Sequence, residues 1–73
     1  MTQNIALVAK FEAEAQRWES IAYKRYTDAA KLAAKGEPHW AARTEKDGNH
    51  YARIADNNYK LAYFHRTGIM RFK

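Results

Sequence analysis

The sequence predicts an all-α fold, an antiparallel hairpin of two long helices that pairs with a second copy in a dimeric helical bundle. Two runs of good helix-forming residues predict the helices. The four-residue break Lys35-Gly36-Glu37-Pro38 separates them. Gly36 suits the left-handed residue that ends a helix, and Pro38 suits the first position of the next one. Such a tight break folds the second helix back along the first.

The first helix is predicted from about residue 3 to residue 35, with Thr2 or Asn4 as its N-cap. Its apolar side chains recur at spacings of three and four, which indicates one face of a helix about 50 Å long. These residues are Val8, Phe11, Ala15, Trp18, Ala22, Ala29 and Leu32. Arg25 is the one charged residue on this stripe.

A basic line lies on the opposite side of the first helix. Its four members recur every seven residues: Lys10, Arg17, Lys24 and Lys31. A charged line is typical of a solvated face, and Glu14 and Asp28 partly neutralise it. We keep it as the alternative binding surface.

The second helix is predicted from residue 38 to residue 66, followed by a short tail over residues 67–73. Its apolar face is thinner and includes several polar residues. The column contains Trp40, Thr44, Asp47, Tyr51, Ile54, Asn58, Leu61 and His65. A turn at Asp47-Gly48-Asn49 would start a third short helix. A continuous helix tolerates one glycine at a cost of about 1 kcal/mol, and we expect a continuous helix.

The position of the turn predicts which residues face each other. With its centre just after Gly36, Trp18 is expected beside Ile54. Arg25, the charge on the first stripe, then falls opposite Asp47, the carboxylate on the second. Because the two charges would cancel in this register, we expect an ion pair there and a continuous second helix.

Length and composition limit the class of protein. The chain has 73 residues, no cysteine and a net charge of +5. A hairpin of this size buries little apolar surface, and disulfides and thiolate metal sites are excluded, so self-association is the expected source of stability. No apolar run approaches the roughly 20 residues that span a membrane, and the start lacks the features of a signal peptide. We therefore expect a cytoplasmic protein with no membrane partner.

No catalytic, cofactor-binding or metal-binding residues are predicted. His39, His50 and His65 are too far apart along a helix to share a metal ion. Ser20 is the only serine, and no histidine or aspartate lies at a helical spacing that would activate it. A hairpin also lacks a concave pocket. We therefore expect a non-enzymatic protein without cofactors.

Basic and aromatic side chains coincide at the C-terminal end. Tyrosine and arginine are typical of contact surfaces, because both offer large area and directed hydrogen bonds. The predicted partner-binding residues are Tyr59, Lys60, Tyr63, Arg66, Arg71 and Phe72. The spacing of Tyr59, Tyr63 and Arg66 places these three on one face of the second helix.

These patterns favour a small regulator or inhibitor that docks its helical surface on another protein with an acidic surface. Small basic proteins of this kind include products of phages and other mobile elements. The alternative is a nucleic-acid-binding accessory protein that uses the basic helix faces and the basic-aromatic C-terminus. Against it, acidic residues are interspersed along both helices and no recognised nucleic-acid-binding motif is evident. A third possibility is a subunit that completes a larger helical assembly.

Overall fold

The computed structural model describes residues 4–68, which form two helices joined by a three-residue turn. Helix α1 spans Ile5–Ala34, and helix α2 spans Pro38–Thr67. They pack side by side as an antiparallel hairpin with extents of 54 × 22 × 10 Å. The predicted all-α helical hairpin is confirmed, and α2 is continuous through Gly48.

The open end of the hairpin is fixed by Asn4. Its side-chain Oδ1 accepts a hydrogen bond of 3.1 Å from the backbone N–H of Leu7, which makes it the N-cap of α1. Its own backbone N–H donates to the carbonyl oxygen of His65 at 3.2 Å. One residue therefore caps the first helix and joins it to the last turn of the second.

The turn has the conformation that the sequence predicts. Gly36 has φ +81°, and its N–H donates to the carbonyl of Ala33 at 3.0 Å. The N–H of Glu37 donates to the carbonyl of Leu32 at 3.0 Å. These two bonds form a Schellman motif, which satisfies the last carbonyls of α1. Pro38 then begins α2, where its missing N–H leaves no donor unpaired.

The seam between the helices consists of small residues spaced by seven. The buried residues are Val8, Ala15, Ala22 and Ala29 on α1, and Ala41, Gly48, Ala55 and Ala62 on α2. A seven-residue repeat keeps one line of side chains against the partner helix. Within residues 4–68 the seam buries nothing larger than valine, so the large apolar side chains lie beside it rather than in it.

The buried line of α2 differs from the predicted apolar face by one residue. Trp40, Asp47, Ile54 and Leu61 each directly precede a buried small residue. Successive residues on a helix are turned by about 100°, so these side chains lie beside the seam and Asp47 is exposed. The prediction placed the large apolar residues of α2 against α1. Helices that pack closely require small residues between them, so the alanines and Gly48 are buried instead.

The predicted ion pair between Arg25 and Asp47 is therefore wrong. Both side chains are exposed, and no ion pair joins these two described residues. The turn places the two residues at similar heights, but α2 is rotated about its own axis from the predicted orientation, with Gly48 rather than Asp47 in the seam. Asp47 consequently has no expected role in stability.

Gly48 has a packing role. The aromatic ring of Tyr26 lies against its backbone, and a Cβ at this position would be 2.8 Å from Cε1 of Tyr26. The Tyr26 hydroxyl also donates a 2.6 Å hydrogen bond to Oδ1 of Asn49. A helical glycine costs about 1 kcal/mol relative to alanine, and here it makes room for the tyrosine ring.

Candidate docking faces

The seam divides the flat hairpin into two broad faces. Because a helix turns by about 100° per residue, side chains three positions after a buried residue lie on one side of the seam. Side chains four positions after a buried residue lie on the other side. Contacts between the helices follow this division, with ring stacks on the first side and polar contacts on the second.

The first side, which we call the aromatic face, is built around two ring stacks. Phe11 stacks on His65 with ring centroids 5.5 Å apart, and Trp18 stacks on Tyr51 at 5.6 Å. All four rings are only half-buried. Half-buried aliphatic side chains surround them, namely Leu7, Ile21, Leu32, Ile54 and Leu61. The aromatic face therefore offers apolar surface that one hairpin does not cover.

Cationic side chains border the aromatic face. The Lys10 ammonium lies 5.9 Å from the centroid of the Phe11 ring, and the Arg17 guanidinium lies 5.7 Å from that of Trp18. All four residues of the predicted basic line are exposed. Their backbone positions lie far from the seam, but these two cations lean over the aromatic rings.

The aromatic face carries a net positive charge. Its cations are Lys10, Arg17, Lys24, Arg25, Lys31, Lys35 and Arg43. Its carboxylates are Glu14, Asp28 and Asp47. Seven positive and three negative side chains give +4.

The second side, which we call the tyrosine face, is polar and acidic. The Tyr59 hydroxyl donates a 3.1 Å hydrogen bond to Oε1 of Glu19, and Arg66 forms an ion pair with Glu12. The described carboxylates on this face are Glu12, Glu19, Glu45 and Asp56, and its cations within the described residues are Lys60 and Arg66. Four negative and two positive side chains give −2.

Shallow cavities follow the seam along the tyrosine face. One of about 390 Å³ lies between Tyr23, Tyr26 and Tyr59, with Ala22 and Ala55 in its lining. A second of about 410 Å³ lies nearer the turn, and a third of about 280 Å³ lies at the open end. Beside the two ring stacks of the aromatic face the small seam residues thus leave hollows on the tyrosine face, and near the turn the aromatic face has a hollow of about 320 Å³ as well.

The predicted partner-binding residues lie at the open end of the tyrosine face. Tyr59, Lys60 and Tyr63 line one shallow cavity together with Asp56. Arg66 lines the neighbouring cavity at the start of α1. Two further predicted residues, Arg71 and Phe72, lie outside the described residues. The four described side chains therefore lie together at one end of the tyrosine face.

The two described cations of this patch are paired with carboxylates. The Lys60 ammonium lies 3.0 Å from the Asp56 carboxylate, and Arg66 pairs with Glu12 of the other helix. The patch therefore presents tyrosine rings more than free positive charge. Sequence reasoning missed these partners, although the seven-residue spacing of Glu12 and Glu19 places both on one side of α1.

The pKa of the Tyr59 hydroxyl is raised by its surroundings. Partial burial, the hydrogen bond to Glu19 and the negative charges of Glu19 and Glu12 raise its pKa above the usual value of 10.0. The protonated hydroxyl donates its hydrogen bond to Glu19 across the seam.

Other kinds of site find no support in the described residues. No helix within residues 4–68 combines the length and apolar character needed to cross a bilayer. The same part of the chain brings no three histidine, aspartate or glutamate side chains together as metal ligands. No protein-family model matches the chain, and no curated protein or solved structure matches it either.

Proposed function

We propose that this chain is a small, non-enzymatic docking protein of the cytoplasm that regulates or inhibits an acidic partner protein. It does so by covering part of the partner's surface with its aromatic face. The observation that carries the proposal is that the buried residues within 4–68 are only alanine, glycine and valine. Rings that a globular domain would bury stay half-exposed here, and aromatic side chains with arginine are typical of protein interfaces.

The charge of the aromatic face supports an acidic partner. Its balance of +4 lies beside apolar rings, so a partner surface with carboxylates around an apolar centre would match it. Such charges steer the encounter and exclude wrong partners, while the buried rings supply the affinity.

A nucleic acid is the second candidate partner, favoured by the exposed basic line on α1. From Lys10 to Lys31 this line spans about 32 Å at 1.5 Å per residue. Regularly spaced cations over such a length could follow a phosphate backbone. The carboxylates of the aromatic face lie close to the line and oppose this use.

Site-specific photocrosslinking tests the proposal in cells that produce the protein. A benzophenone amino acid at Phe11 reports on the aromatic face, and the same group at Arg53, an exposed residue on the outer edge of α2, is the matched control. We expect discrete adducts with another protein from Phe11 and few from Arg53. Equal, diffuse labelling at both positions would contradict docking through the aromatic face.

Salt dependence separates the nucleic-acid alternative. We expect a fluorescent DNA duplex to bind only weakly at 0.15 M salt, at the level of non-specific binding, with Kd above about 10⁻⁶ M. Submicromolar binding with a steep log–log salt slope, about −0.9 per neutralised phosphate, would favour the nucleic-acid function instead.

A further inference from the structure

The hairpin exposes more surface than a folded monomer of its mass. Its accessible surface is 5590 Å², whereas a monomer of 8.5 kDa exposes about 4,700 Å². The excess of about 900 Å² is close to the roughly 800 Å² that each partner contributes to a standard interface. The Cα radius of gyration is 15.6 Å, against about 11 Å for a compact chain of this length. The excess surface is thus of the size that one standard interface would cover.

We propose that the tyrosine face of a second copy covers the aromatic face, so that copies of this chain stack face to back. This inference rests on the proposed function in one respect, that the aromatic face is a docking surface. Charge decides between the possible arrangements. Two aromatic faces would oppose +4 with +4, whereas face-to-back stacking opposes +4 with −2.

The shapes of the two faces also match. The aromatic face presents large side chains at seven-residue intervals on one line of α1, namely Phe11, Trp18, Arg25 and Leu32. The tyrosine face presents hollows over the small seam residues, which recur at the same interval of about 10 Å. Large side chains that enter hollows of equal period form a knobs-into-holes contact. Tyr23, which is 72% exposed beside the alanines of the 390 Å³ hollow, would be covered in this contact.

Face-to-back stacking predicts an assembly that does not stop at a dimer. The contact uses two different surfaces, so each added copy leaves one aromatic face and one tyrosine face open. The average mass should rise with concentration beyond twice the 8.5 kDa of one chain. High salt should reduce it, because exposed charges at the rim are screened.

Charge reversal on one face at a time tests the arrangement. The aromatic-face variant carries Arg17→Glu and Lys24→Glu, and the tyrosine-face variant carries Tyr23→Lys and Glu45→Lys. The control carries Lys46→Glu and Arg53→Glu on the outer edge of α2, which change the net charge by the same −4 as the aromatic-face variant. All six side chains are exposed. Circular dichroism verifies that each variant stays helical. If a double variant unfolds, the single variant Lys24→Glu replaces it for the aromatic face, and Glu45→Lys replaces it for the tyrosine face.

Sedimentation velocity of the separate and mixed variants gives the result. The control should associate with a dissociation constant within about twofold of the unmodified chain, and each face variant should associate about tenfold more weakly or worse. An equimolar mixture of the two face variants should restore association, because each supplies the intact face that the other lacks. The mixture should form a heterodimer and nothing larger, because the two faces that remain open in it are the two substituted faces.

Two outcomes would overturn face-to-back stacking. A tyrosine-face variant that dimerises as well as the unmodified chain would show that two aromatic faces meet. An unmodified chain that stays monomeric at about 100 μM would show that no second copy covers either face at the concentrations where weak specific contacts form. Neither outcome bears on docking with another protein, which the crosslinking from Phe11 tests separately.

Discussion

Ala15→Leu is expected to destabilise the hairpin severely, while Ala13→Leu on the same helix is expected to change its stability by less than about 0.5 kcal/mol. Ala15 is 0% exposed in the small-residue seam. The larger side chain fits only if the helices move apart, which costs about 1–3 kcal/mol by overpacking. For a two-helix chain this is much of the total stability.

The comparison with Ala13 isolates the seam from other effects of leucine. Ala13 is exposed, and leucine has nearly the helix propensity of alanine at both positions. Thermal unfolding followed by circular dichroism measures the difference. Equal melting temperatures for the two variants would show that the helices do not pack through Ala15.

Gly48→Ala is expected to stabilise the hairpin only in the absence of the Tyr26 ring. In the unmodified chain the new Cβ would meet the ring at 2.8 Å, so the ring must move and give up its bond to Asn49. We expect the substitution to be neutral or destabilising there. In a Tyr26→Ala background the same change should stabilise α2 by about 1 kcal/mol, because only the helix propensity remains.

A double-mutant cycle measured by chemical denaturation gives the coupling between these two residues. Tyr26→Phe is the control, since it keeps the ring but removes the hydroxyl that bonds Asn49. We expect the phenylalanine variant to behave like the unmodified chain toward Gly48→Ala. A coupling free energy near zero would show that the ring is not held over the glycine.

Helix α1 could be predicted closely because its signals agree. Its small and large apolar residues lie on one stripe, so the sequence predicts that both Ala15 and Trp18 face the second helix. Asn4 at the start and Gly36 after the end are local capping signals that need no knowledge of the partner helix. Such capping signals can be predicted from the sequence alone, because they depend only on the few neighbouring residues.

The rotation of α2 could not be predicted from its large residues. Its buried line consists of alanines and one glycine, and Trp40 on the neighbouring line is 53% exposed. Small residues are buried here because a matching small line on α1 allows close approach. The relevant signal is thus a seven-residue repeat present in both helices at once, not the hydrophobicity of either.

The electrostatics of the faces depend on contacts between distant residues. Arg66 and Glu12 are 54 residues apart in sequence, and their pairing follows from both the register and the rotation of the helices. The predicted pairing of Arg25 with Asp47 used the register but had the wrong rotation. The location of the C-terminal tyrosines was predictable from α2 alone, whereas the neutralisation of their neighbouring cations was not.

We expect the large aromatic side chains of this protein to be buried between molecules rather than within one. Acrylamide quenching of Trp18 fluorescence tests it most directly, in a Trp40→Phe variant that leaves one tryptophan. Trp18 is half-buried in a single hairpin, and contact with a second molecule would cover the rest of its ring. We therefore expect acrylamide to quench it weakly at high micromolar concentration, and severalfold more strongly after dilution to nanomolar concentration. Quenching that stays constant across the dilution series would contradict the claim.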